Sequence, residues 1–154
     1  MTRKIKFSFI VLVTALSMVF LVVPVMAEPP QPPLDVQIVD EHDILAGTGV
    51  FTVTGGGICE YGTVYDSDVK VVNPTGGNFR ILRVLKQFTC DDGSGTFDVK
   101  LVVRLDLTTH KTTANWNVVG GTVNYVGLQG NGKLIGIPIL SGVSITDYYD
   151  GKMY

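Results

Sequence analysis

The chain has 154 residues, with 12 basic and 14 acidic side chains and a formal net charge of −2 at pH 7. That balance offers no basic patch to nucleic acid or to an anionic membrane, and both are excluded as partners. Its length suits one domain with a real core and is too short for two.

Arg3, Lys4 and Lys6 form a basic start, and Phe7 to Val23 is almost continuously apolar. Pro24 breaks any helix, and Val25-Met26-Ala27 places small residues before Glu28, so residues 1–27 read as a secretory signal peptide cleaved after Ala27. The competing reading is an uncleaved anchor, because the apolar run is close to the minimum spanning length. Cleavage leaves nine basic against fourteen acidic residues, a net charge of −5. The address that follows is secreted or extracytoplasmic, at the cell surface or in a periplasm, with no membrane contact after cleavage. Glu28-Pro29-Pro30-Gln31-Pro32-Pro33 lies in a Pro-rich linker over residues 28–34, a stiff tether ahead of a β domain over 35–154.

Strands are expected at 48–54, 63–72, 79–90, 95–108, 112–119, 128–137 and 142–150, with a weaker one at 35–40. Residues 95–108 alternate most cleanly, with Phe97, Val99, Leu101, Val103, Leu105 and Leu107 on one face and Asp98, Lys100, Arg104 and Asp106 on the other. Gly55-Gly56-Gly57, Asn73 to Asn78, Asp91 to Gly95 and Thr109-His110-Lys111 separate the strands, and nothing between them has helical periodicity. The fold class is all-β: a closed antiparallel barrel of about eight strands, with a β-sandwich as the alternative. Strand 79–90 is apolar on both faces, so its outer side calls for cover from another chain or from the N-terminal segment.

Gly120-Gly121-Thr122-Val123-Asn124-Tyr125-Val126-Gly127-Leu128-Gln129-Gly130-Asn131-Gly132 is the most distinctive stretch. Paired glycines can end a strand through positive φ, and the later ones suit sharp bends or close backbone approach in a curved sheet. The stretch resembles the G-G-T-x-x-Y-x-G-L-x-G-x-G element of the allene oxide cyclase and dirigent-like barrels, including small secreted bacterial members of unknown function. The likeness extends to Ile145-Thr146-Asp147-Tyr148-Tyr149-Asp150-Gly151 and, more loosely, over residues 45–154. The resemblance implies a barrel and a homo-oligomer, a trimer in the relatives. The glutamate that plant allene oxide cyclases use in a long apolar pocket is not placed on this sequence, so their activity is not carried over.

Cys59 and Cys90 are the only cysteines, and an exported address favours a structural disulfide between them. His110 sits in a turn and reads as solvated. His42, flanked by Asp40, Glu41 and Asp43, reads as part of a solvated charge cluster, since adjacent ligands rarely converge on one ion. Asp91-Asp92-Gly93-Ser94-Gly95 lacks EF-hand spacing and reads as a hairpin turn. No metal or cofactor is called for, and no catalytic residue is assigned. The candidate ligand-binding residues are Tyr65, Arg83, Asp147 and Tyr149. Asp147 alternates with Val143, Ile145 and Tyr149, and Arg83 with Ile81 and Leu85; if those faces turn inward, the two charges pair with each other or await a ligand. Three functions compete: a barrel that binds a small apolar ligand, a cofactor-free cyclase-type isomerase, and a packed structural or surface-interaction protein.

Overall fold

The computed structural model describes residues 32–72, 77–140 and 142–154; the segment read as a signal peptide and the first half of the expected linker lie outside them. Alternating side chains become eight strands: β1 (Leu34–Asp43), β2 (Thr48–Gly55), β3 (Tyr61–Val71), β4 (Phe79–Cys90), β5 (Thr96–Asp106), β6 (Thr112–Gly121), β7 (Gly130–Leu140) and β8 (Ser144–Met153). Each pairs antiparallel with the next, and β8 returns to β1, closing a barrel rather than a sandwich. The segment expected at 35–40 runs on to Asp43, which carries Asp40 and His42 into the sheet. The long alternation over 95–108 is a strand only to Asp106, where the β5–β6 turn begins.

The barrel interior has two unlike halves. At the end near the β2–β3, β4–β5 and β6–β7 connections, aromatic residues fill it. Phe88 stacks on Phe97 at 4.9 Å between ring centroids, and Phe51 meets Phe88 edge-on at 5.1 Å. Tyr149 packs edge-on against both Phe88 and Trp116. Such pairs add about 0.5–1.5 kcal/mol each beyond their buried area. Trp116 fits because Gly132 faces it across the β6–β7 pair; a Cβ at Gly132 would strike the indole and the Asp150 carbonyl. A short 3₁₀ turn, Val123–Tyr125, plugs this end. The Tyr125 hydroxyl accepts from the Cys59 N–H at 3.0 Å and lies 2.7 Å from Ser94 Oγ. The glycine-rich stretch thus builds the plug and the inner face of β7. The strand before it ends at Gly121, but neither Gly120 nor Gly121 takes positive φ.

Cys59 and Cys90 are disulfide-bonded, 5.9 Å apart at Cα, beside the same plug. Thiol labelling of denatured, unreduced protein is therefore expected to find no free cysteine; two labelled thiols per chain would refute the bond.

Candidate functional site

The opposite half of the barrel is neither filled nor apolar throughout. A cavity of about 200 Å³ opens there, walled by Leu82 and Val84 of β4, Leu101 and Val103 of β5, Leu134 of β7 and Ile145 of β8. Ile44, His110, Pro138 and Gly142 stand at its mouth. Exposed apolar side chains continue around that rim, including Leu45, Leu107 and Leu140.

Charged residues form the floor. Asp40, His42, Lys86 and Asp147 are all buried, at 0, 4, 4 and 6% exposure. Period-two geometry puts them there. Val36, Ile38, Asp40 and His42 share the inner face of β1, while Val84, Lys86 and Phe88 share that of β4. Asp40 lies directly across from Asp147 on β8, and Lys86 across from Asp66 on β3.

Lys86 Nζ donates to Asp40 Oδ2 at 2.6 Å and to Asp147 Oδ2 at 2.9 Å, with Asp66 Oδ1 at 4.0 Å. His42 Nε2 is 3.1 Å from Asp66 Oδ2. Its Nδ1 stands 3.5 Å from Asp40 Oδ1, close enough for ionic attraction although neither atom has a hydrogen-bond partner among the described residues.

These contacts set the protonation states. Burial opposes the charge on His42, but Asp40 and Asp66 outweigh it and lift the imidazole pKa to about 9. Burial likewise opposes the Lys86 charge, yet Tyr149, Asp147, Asp40 and Asp66 around it hold its pKa well above the ordinary value. Burial would raise Asp40, but His42 and Lys86 bring it below the usual carboxylate range. At Asp147 burial wins over Lys86 and the pKa rises. The Tyr149 hydroxyl, fully buried, is pushed well above its ordinary value by desolvation.

Of the residues singled out from sequence, Asp147 and Tyr149 face inward on one side of β8, as their alternation implies. Arg83 does not join them. The inner face of β4 is the even-numbered one, so Arg83 projects outward with Ile81 and Leu85, and Lys86 takes the place expected of it beside Asp147. Tyr65 also points out of the barrel, about half exposed. His42 is not a solvated residue but part of the floor, and His110 leans over the mouth. The chain's two histidines thus both line the cavity.

One detail of the floor bears on what it can hold. Gly136 of β7 sits opposite both Thr112 of β6 and Asp147. A Cβ there would collide with Thr112 Oγ1 and Asp147 Oδ1, two oxygens that have no hydrogen-bond partner among the described residues. Compared with known proteins, the chain matches no family model, no curated protein and no solved structure.

Proposed function

We propose that the protein is a secreted barrel of the allene oxide cyclase and dirigent-like kind that binds one small, largely apolar molecule in the open half of its interior. The contrast between the two halves carries this reading. One half is filled with phenylalanine, tyrosine and tryptophan; the other leaves a walled cavity over four buried charged residues. Replacing a buried ion cluster with apolar packing is often neutral or stabilising by about 1–4 kcal/mol, so stability alone gives no reason to keep it. A concave apolar site with a few convergent polar groups is the usual form of a small-molecule site. The disulfide supports an extracytoplasmic address. Among the described residues, no helix is long and apolar enough to cross a membrane.

Native mass spectrometry after incubation with a lipid extract tests the proposal. The protein is expected to carry a small-molecule adduct that disappears in Val103→Phe, which fills the cavity from β5. Unliganded protein alone in both samples would refute it.

A second reading is favoured by one observation, the buried Asp147 with its raised pKa at the cavity floor. A carboxyl group so placed suits proton transfer within a bound intermediate, as a cofactor-free isomerase requires. Recovery of the bound molecule with unchanged mass but altered connectivity would select this reading over simple binding.

A further inference from the structure

The polar end of the ligand can be inferred from what the cavity floor leaves unpaired, an argument that rests on the binding reading above. Three carboxylates, Asp40, Asp66 and Asp147, surround two cations, Lys86 and the protonated His42. Both cations are held by these carboxylates: the Lys86 ammonium by two within 2.9 Å, and His42 by Asp66 at 3.1 Å from its Nε2, with its Nδ1, unpartnered among the described residues, 3.5 Å from Asp40 Oδ1. Asp40, Asp66 and Asp147 each keep their Oδ1 without a hydrogen-bond partner among the described residues, and so does Thr112 Oγ1.

A buried acceptor without a donor costs free energy, on the order of 1–3 kcal/mol and more where it is charged. Asp147 is 6% exposed, lines the cavity, and is held by Lys86 through its other oxygen only. Thr112 lines the same cavity, and its hydroxyl and Asp147 Oδ1 both press against the bare Cα of Gly136, where a Cβ would strike them. At this seat the ionised carboxylate can only accept, and the hydroxyl can accept as well as donate.

We propose that the cavity takes an amphiphile whose polar end is a hydrogen-bond donor, a hydroxyl or an ammonium group. That end sits against Asp147 Oδ1 and Thr112 Oγ1, with the apolar tail running toward the mouth. The corresponding carboxylate is disfavoured there, because its charge would meet that of Asp147 in a desolvated site. Size agrees with this orientation. About 200 Å³ holds on the order of seven non-hydrogen atoms at the ~30 Å³ that each water takes in the liquid. A longer tail then leaves past Ile44 and reaches the apolar rim at Leu45, Leu107 and Leu140. The opposite orientation would set the tail's end on the charged floor and the polar group among exposed leucines.

Isothermal titration calorimetry at pH 7.5 with 1-octanol, octylamine and octanoate tests the assignment. The alcohol and the amine are expected to bind, and octanoate at least about tenfold more weakly, since like charges placed together in an interface are strongly disfavoured. Thr112→Val removes one acceptor with little change of shape. It is expected to weaken octanol binding several-fold while the denaturant midpoint holds or rises, as befits loss of an unpaired buried hydroxyl. Asp147→Asn is expected to narrow the gap between octanoate and octanol, and Thr112→Val keeps the proposal testable where Asp147→Asn does not fold. Octanoate binding as tightly as octanol would overturn the head-group assignment and leave the binding barrel standing. Octanol affinity unchanged in Thr112→Val would overturn the seat. Failure of all three probes to bind would overturn this inference; it would overturn the binding reading as well only if the lipid extract also yields no adduct.

Discussion

Lys86→Met is expected to destabilise the barrel by about 3–5 kcal/mol, the cost typical of removing one partner from a buried ion pair. Among the described residues, Lys86 is the one cation hydrogen-bonded to Asp40, which is fully buried, and to Asp147. Methionine fills a similar volume, so the loss reflects stranded carboxylates rather than a void. Denaturant unfolding at pH 7 measures the effect, and its pH dependence identifies the cause. Without Lys86 both carboxyl groups are easier to protonate in the folded state, so the penalty should shrink as the pH falls toward 4. Adding Asp40→Asn and Asp147→Asn to Lys86→Met should recover most of the loss at neutral pH. A single-mutant loss under about 1 kcal/mol would show that water reaches this cluster and screens it.

The barrel was legible because its evidence is periodic. Phe97, Val99, Leu101 and Val103 alternate with polar neighbours over a stretch long enough to define a face, and all four are buried in the fold. Asp147 and Tyr149 were legible for the same reason, since Ile145 marks their side of β8 as the inner one. Lys86 was not. Strand β4 reads Ile81-Leu82-Arg83-Val84-Leu85-Lys86, apolar on both faces, so alternation alone could not say which cation turned inward. The deciding signal was available in register: β4 must put Phe88 opposite Phe97, and Lys86 shares the face of Phe88. Asp40 and His42 were missed because four polar residues in a row look like a solvated end, although Val36 and Ile38 set their parity. The convergence of Thr112 with Asp147 beside Gly136 depends on barrel closure through β6, β7 and β8, which no single strand pattern contains.

Stability is expected to fall as the pH rises from about 6.5 to 9, and His42 is the cause. Burial disfavours its charge, yet Asp40 and Asp66 lift its folded-state pKa to about 9, against roughly 6.5 in the unfolded chain. A raised folded pKa means that the folded protein holds its proton more tightly. The resulting stabilisation is complete below pH 6.5 and is lost as the pH passes through 9. Across that window it amounts to at most about 3 kcal/mol. Lys86, held well above its ordinary value, keeps its charge throughout. A His42→Gln variant keeps Asp40, Asp66, Asp147 and Lys86, so the difference between its unfolding free energy and that of the wild type reports the imidazole together with its effect on Asp40 and Asp147. That difference should decline from pH 6 to pH 10, whereas a flat one would mean that the fold leaves the His42 pKa where it lies in the unfolded chain, and a rising one that the fold holds the imidazole neutral. The same proton ties Asp66 of β3 to the inner face of β1 at the cavity floor. Its loss would leave Asp66 facing neutral imidazole and Lys86 alone to balance three carboxylates, so the site that holds the ligand and the stability of the barrel should respond to alkaline pH together.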